Sequence, residues 1–200
     1  VYRALDTVLD RQVAVKVPKS TAAERRFKRS AILSAKVSHP NAAKTLDYVE
    51  DFNRPYLVEE FIAGRDLYRL RERMPIMDPY LVAHIFHNLA RGLSASHHVN
   101  VVHRDLKPSN IMVSPGWTFD EIKVTDFGIA KMAEEELAIA AEGGNDSITG
   151  SQTMMGALPY MSPEMITAPR STGTAADVWA LGSICYELLT GIKPFGAGLL

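Results

Sequence analysis

Cys185 is the only cysteine in the 200 residues. An internal disulfide framework is therefore excluded, and the composition fits a reducing compartment. The thiol stands in the apolar run Leu181-Gly182-Ser183-Ile184-Cys185-Tyr186, where a buried structural role is the simpler reading. An excess of either charge is also missing: 22 Lys and Arg against 23 Asp and Glu leave a formal net charge of −1. Bulk electrostatics thus give no reason to expect nucleic acid or an anionic membrane as partner. Within these residues no apolar run is long enough to span a bilayer, and nothing reads as a secretory leader. Internal repeats and low-complexity tracts are absent. His84, His87, His97 and His98 crowd one segment, but no cysteine stands near them and a metal reading is discounted. What remains is a mixed chain, 46% hydrophobic and 22% charged, long enough to bury a sizeable core in one or two domains.

The most informative stretch is Val101-Val102-His103-Arg104-Asp105-Leu106-Lys107-Pro108-Ser109-Asn110-Ile111-Met112-Val113. Two apolar runs of strand type flank a polar loop whose charges have no sequence-local partners, so the loop cannot be core. It reads as a functional loop pinned between short strands. The residue types suit phosphoryl transfer. A carboxylate, Asp105, can orient a hydroxyl and take its proton, and Lys107, two residues on, can face the moving phosphate. The amide oxygen of Asn110 can ligate Mg²⁺. A second polar element follows at Lys123-Val124-Thr125-Asp126-Phe127-Gly128, a short strand ending in an acid. Together the two stretches resemble the catalytic loop and the metal-binding Asp-Phe-Gly of eukaryotic-type Ser/Thr protein kinases, and the chain is similar to the bacterial receptor-type members.

The rest of the chain can be set beside that family in order. It opens inside a strand at Val1-Tyr2-Arg3-Ala4, and the resemblance implies that a glycine-rich phosphate-covering loop belongs before this point. Thr7 to Val13 reads as a hairpin with its turn near Asp10-Arg11. In the strand Val13-Ala14-Val15-Lys16-Val17, Lys16 resembles the kinase lysine that grips the α- and β-phosphates. Thr21-Ala22-Ala23-Glu24 forms a capping box, which predicts a helix from there to about Lys36. In kinases this helix carries the glutamate that pairs with the strand lysine. Counted back from His39-Pro40-Asn41, that position is Ser30, and Glu24, six residues away, lies on another face. Strands are expected over Leu46–Phe52 and Tyr56–Phe61, running into a stretch that resembles the hinge between kinase lobes. The resemblance implies that Glu60 and Ile62 offer backbone groups to adenine. It puts Glu59 behind the adenine, where an apolar residue is more usual, so this near-interior acid needs a partner or a raised pKa. One answer is that Glu59 partly replaces the missing helix glutamate beside Lys16.

Asp78-Pro79 starts a helix, Asp as N-cap and Pro at the first position. Val82, Ile85, Phe86, Leu89 and Leu93 follow at helical spacing. His97 matches a structural histidine of the family, and Asn100 stands where a positive φ is tolerated. Ser114 to Asp120 reads as a hairpin insertion whose Trp117 and Phe119 cover the back of the lobe. Periodicity is lost from Ile129 to Gly156, the activation loop by resemblance, with Thr149, Ser151 and Thr153 as candidate phosphoacceptors and Arg104 as the cation a phosphorylated loop engages. Gly156 to Glu164 resembles the segment that closes this loop, with Ser-Pro-Glu for the usual Ala-Pro-Glu and Ala157 where Ser/Thr kinases carry threonine. Asp177 opens a mostly apolar helix, and by resemblance this acid can bond the backbone of the catalytic loop, with which a helix-cap role is compatible.

The resemblance thus implies an α+β, two-lobed kinase-like fold over residues 1–200, as a piece lacking the family's two ends. A small antiparallel β lobe with one helix spans 1–59, a hinge 60–66 and a larger helical lobe 67–200. It implies ATP and Mg²⁺ as cofactors, held by Lys16, Glu60, Ile62, Asn110 and Asp126. A protein with a Ser or Thr acceptor is the implied substrate, and a dimer for autophosphorylation is left open. The implied place is the cytoplasm, with any membrane anchor outside these residues. Lys107 and the Ser-Pro-Glu segment favour Ser/Thr over Tyr specificity. Ser30, Glu59 and Ala157 keep an alternative open: a pseudokinase that holds nucleotide or a partner without transferring phosphate. A small-molecule phosphotransferase is disfavoured by the His103-Arg104-Asp105 and Lys107 pattern.

Overall fold

Alternating side chains build the first sheet. Strands β1 (Tyr2–Asp6), β2 (Arg11–Lys16), β3 (Thr45–Asp51) and β4 (Arg54–Glu60) run antiparallel in the order β1-β2-β4-β3. This computed structural model describes residues 1–18, 24–52, 54–115, 118–127, 156–168 and 172–195. The turn after β1 is tied by Asp6, whose Oδ1 accepts the N–H groups of Val8 and Leu9 at 3.2 and 3.1 Å, and Asp10 takes a left-handed φ of 48°. Along β4 burial alternates: Pro55, Leu57 and Glu59 face inward. Glu59 therefore occupies a core position of the strand's period-two pattern.

Helix α1 (Glu24–Ser34) packs on β3 and β4. The capping-box residues Thr21, Ala22 and Ala23 lie outside the described residues. The helix ends two residues before the predicted Lys36, because Lys36 N–H bonds back three residues to Leu33 O and tightens the last turn. Its inward side presents Ser30, Ala31 and Ser34, all buried.

The segment from Glu60 to Asp66 carries the chain to a second sheet. There β5 (Arg65–Asp66) pairs with β6 (Ile111–Val113), and β6 with β7 (Ile122–Val124). Gly64 makes this crossing possible. Its φ is +153°, and a Cβ there would lie 1.9 Å from the carbonyl oxygen of Val113, so only glycine can pass so close over β6. Asp66 then caps α2 (Leu67–Arg71) by accepting Arg69 N–H at 2.9 Å.

Helix α3 (Pro79–His98) starts on Asp78, whose Oδ1 accepts Tyr80 N–H at 2.8 Å. Val82, Ile85, Leu89, Gly92, Leu93 and Ser96 form its buried stripe. Phe86 corrects the predicted face: it is 39% exposed, since it lies just past the edge of that stripe. Asn100 has a φ of 58°, as its position after the helix suggested. The core lies between α2, α3, β6, β7 and the last helix, α5 (Ala175–Thr190), which follows the short α4 (Pro163–Thr167), with Leu89, Ile111, Val113, Val124, Ile184 and Leu188 at its centre. Each such side chain contributes about 1.5–3 kcal/mol by burial. The insertion after β6 is a hairpin, closed by Ser114 N–H on Glu121 O at 2.9 Å, and Phe119 is buried beneath it. Trp117 lies outside the described residues. Cys185 is half-buried, and burial pushes its thiol up.

Candidate active site

One buried acid holds the polar loop in place. Asp177, in the first turn of α5, accepts His103 N–H on Oδ2 at 2.9 Å and Arg104 N–H on Oδ1 at 2.8 Å. His97 Nε2, at the end of α3, meets Oδ2 at 2.7 Å. Burial would push the Asp177 carboxyl up, but the bonds from His97 and the two backbone amides outweigh it and hold the group below the usual range. The bonds expected from Asp177 to the backbone of this loop are therefore present. Arg104 takes a φ of 65°, a conformation the two Asp177 bonds enforce.

His103 links this loop to the second polar element. Its Nδ1 accepts Asp105 N–H at 3.2 Å, so Nε2 carries the proton that is donated to Thr125 O at 2.8 Å. Its ring meets Phe127 edge-on at 4.9 Å between centroids. Thr125 N–H and Oγ1 both donate to Asn110 O, at 2.9 and 3.3 Å. These bonds set Asn110 beside Asp126.

The predicted catalytic side chains converge. Lys107 Nζ lies 2.9 and 2.8 Å from the two oxygens of Asp105. Asn110 Nδ2 donates to Asp105 O at 2.8 Å and to its Oδ2 at 3.1 Å. With its NH₂ so used, the amide offers Oδ1 to a cation. Asp126, at a φ of 65°, offers a carboxylate from the facing loop. A hard-oxygen pair of this kind suits Mg²⁺, which takes one or two protein carboxylate or amide oxygens and completes its shell with phosphates and water.

On the sheet side the arrangement departs from the family pattern at the positions the sequence marked. Lys16 Nζ lies 2.5 Å from Glu59 Oε2 and also pairs with Asp126 Oδ1. Burial disfavours the charged amine, yet the two carboxylates, Asp126 first, outweigh it and hold Lys16 above its usual range. Burial pushes Glu59 up despite the Lys16 charge, with Asp126 adding repulsion, while Lys16 draws Asp126 down against its own burial. Glu59 has thus both the partner and the raised pKa that its place required. Ser30 turns elsewhere: its hydroxyl donates to Phe127 O at 3.2 Å. One turn on, Ser34 Oγ lies 2.8 Å from Thr45 Oγ1.

Glu60 and Ile62 sit at the mouth of the connection between sheets. Glu60 N–H is engaged with Lys44 O at 2.9 Å, and its carboxylate takes Lys123 Nζ at 2.8 Å on both oxygens. Ile62 is buried. Ala157 is buried at the start of the segment that leads to α4. Thr149, Ser151 and Thr153 lie outside the described residues, as does Gly128.

Sequence reasoning missed a buried cluster below this segment. Tyr160 hydroxyl donates to Glu187 Oε2 at 2.5 Å, and Arg71 pairs with Glu187 Oε1. Burial and then Glu187 push the phenol up. The available signal was Glu187 itself, an acid at a fully buried position of the apolar helix α5. Such a group requires a cation.

A family model described as the protein kinase domain matches residues 1–198. Among curated proteins, a probable serine/threonine-protein kinase PknB of Lactococcus lactis is 37% identical over 202 residues, covering 98% of this chain and 30% of the relative. Serine/threonine-protein kinase PknL of Mycobacterium tuberculosis is 36% identical over 204 residues, covering 98% of this chain and 47% of the relative. Serine/threonine-protein kinase PrkC of Bacillus subtilis is 32% identical over 200 residues, covering 98% and 29%. The chain therefore spans less than half the length of these relatives. No described helix is long and apolar enough to cross a membrane.

Proposed function

The chain belongs to the protein kinase family, and we propose from that premise that it transfers the γ-phosphate of ATP to Ser or Thr hydroxyls of protein substrates. One observation carries the proposal: Asp105, Lys107 and Asn110 are bonded to one another and set beside Asp126 by the Asp177 and Thr125 bonds. Asp105 orients the acceptor hydroxyl and takes its proton. Lys107, which already spans both Asp105 oxygens, moves its charge toward the transferred phosphate. Asn110 Oδ1 and Asp126 would hold Mg²⁺, which neutralises phosphate charge when bound. Lys16 steadies the nucleotide phosphates, and Glu60 carbonyl with Ile62 N–H receive the base. Most of the rate enhancement would come from position and fixed charge.

The hydroxyl that Ala157 lacks is not needed to bring Lys107 onto Asp105, which the two residues achieve by direct contact. That contact favours an enzyme over a pseudokinase. The lobes divide at the Glu60–Asp66 connection. Thr149, Ser151 and Thr153 are the phosphoacceptors we would test first, with a second copy of the chain as the donor of their phosphates.

Three peptides that differ only in a Ser, Thr or Tyr acceptor, incubated with labelled ATP and Mg²⁺, test the reading. Label on the Ser and Thr peptides is expected. Label on the Tyr peptide alone, or on a small alcohol and no peptide, would overturn it.

A further inference from the structure

We propose that Glu59 is the positioning residue that aims Lys16 at the nucleotide, taking over from helix α1 the counter-charge that kinases ordinarily place there. The inference rests on the kinase reading of this site, but it concerns a different residue and a different atom.

The sheet register makes the pairing local. Ala14 stands opposite Glu59 and Lys16 opposite Leu57. Lys16 and Ala14 share a face, so Lys16 and Glu59 are diagonal neighbours on the inward side of β2 and β4. Their side chains are 12% and 6% exposed, and they meet at 2.5 Å. Helix α1 brings no carboxylate to that point. Among its described side chains the buried ones are Ser30, Ala31 and Ser34, and the two hydroxyls are committed to Phe127 O and to Thr45 with Ala31 O.

Asp126 is why the relocation matters. It is a carboxylate partner of Lys16 and also the acid that would hold Mg²⁺. If it were the lysine's sole counter-charge, each cation would compete for it. Glu59 resolves the competition: Lys16 keeps a carboxylate on its own sheet when Asp126 turns to the metal. The arrangement has a cost, because two carboxylates share one ammonium in a poorly hydrated site. Removing one of those negative charges should not destabilise the fold, since Lys16 and Asp126 remain paired.

A double-mutant cycle on the full-length chain tests this. Wild type, Glu59→Gln, Lys16→Met and the double variant are each read for affinity for a fluorescent ADP across a Mg²⁺ titration. Thermal unfolding is measured on all four, and the acetylation rate of the Lys16 amine where it is present. Glu59→Gln is expected to weaken ADP about tenfold, equivalent to ~1.4 kcal/mol of coupling, and to raise the Mg²⁺ concentration needed for half-saturation. Neither effect should appear in the Lys16→Met background. The unfolding midpoint should be no lower than wild type, and Lys16 should acetylate faster. Equal losses in both backgrounds, unchanged Mg²⁺ dependence, or a fallen midpoint with an unchanged acetylation rate would overturn the proposal. Wild type that binds no nucleotide would sink the kinase reading instead, and the acetylation rate would still decide Glu59.

Discussion

The two walls of the candidate site are built on different principles. The wall formed by the 103–110 loop is held by backbone amides: Asp177 fixes His103 and Arg104, and Thr125 fixes Asn110. Its side chains meet within a few residues of sequence, as Lys107 does with Asp105. The opposite wall is joined through side chains that reach across the fold. Lys16, Glu59 and Asp126 come from two strands and a loop, and Ser30 reaches a carbonyl 97 residues away. The first wall matches the family pattern throughout, whereas the second keeps Lys16 and Asp126 and departs from it at Ser30 and Glu59. A lysine can accept its counter-charge from any element whose side chain reaches it. A loop whose backbone conformation depends on one buried acid has no such latitude.

The sharpest way to break this comparison is at the conventional wall. Asp105→Asn keeps the shape and removes the carboxylate proposed as the base. We expect phosphate transfer to fall about 10²–10⁴-fold with nucleotide affinity little changed, measured as single-turnover transfer and as ADP binding. An equal fall in both would move Asp105 from chemistry to binding.

Asp177→Asn comes next and acts on stability. It removes the charge from hydrogen bonds that hold the loop, and we expect a loss of about 1.5–3 kcal/mol in denaturant unfolding. The pH dependence has a definite sign. The folded carboxyl lies below its ordinary value, so its contribution is present above the ordinary carboxylate range and is lost as pH falls through the depressed value. The variant should therefore lose stability less steeply in acid than wild type.

Ser30→Ala should give the smallest effect. One buried hydrogen bond to Phe127 O is lost, about 0.5–1.5 kcal/mol in unfolding. Nucleotide affinity should hold within about twofold if Lys16 depends on the sheet and not on the helix. A loss as large as that of Glu59→Gln would return the helix to the centre of the pocket.

The same contrast explains what could be read from the residues in order. The meeting of Asp105, Lys107 and Asn110 was legible because they are neighbours in sequence and Asp-Phe-Gly follows closely. Asp78 as a cap and the turn at Asp10 were legible for the same reason, since caps and turns are decided within a few residues. Glu59 was legible as a misfit: an acid in a buried strand position must find a cation, and Lys16 was the candidate. The serine contacts were not legible. A hydroxyl has no charge to demand a partner, and Ser30 finds one only because α1 packs against Phe127. Phe86 failed by a few tens of degrees of helix rotation, which periodicity alone does not resolve. The Arg71, Glu187 and Tyr160 cluster joins three distant segments, and only the fold brings them together.

The central claim, that the lysine's counter-charge has moved from helix to sheet while the catalytic loop still works, is tested most directly by moving it back. Single-turnover phosphate transfer and its ATP dependence would be measured for wild type, Glu59→Leu, and Glu59→Leu combined with Ser30→Glu. The account predicts that the single variant loses about tenfold at limiting ATP and that the added helix glutamate restores most of that loss. A Glu59→Leu chain as fast as wild type, with the same ATP dependence, would contradict it.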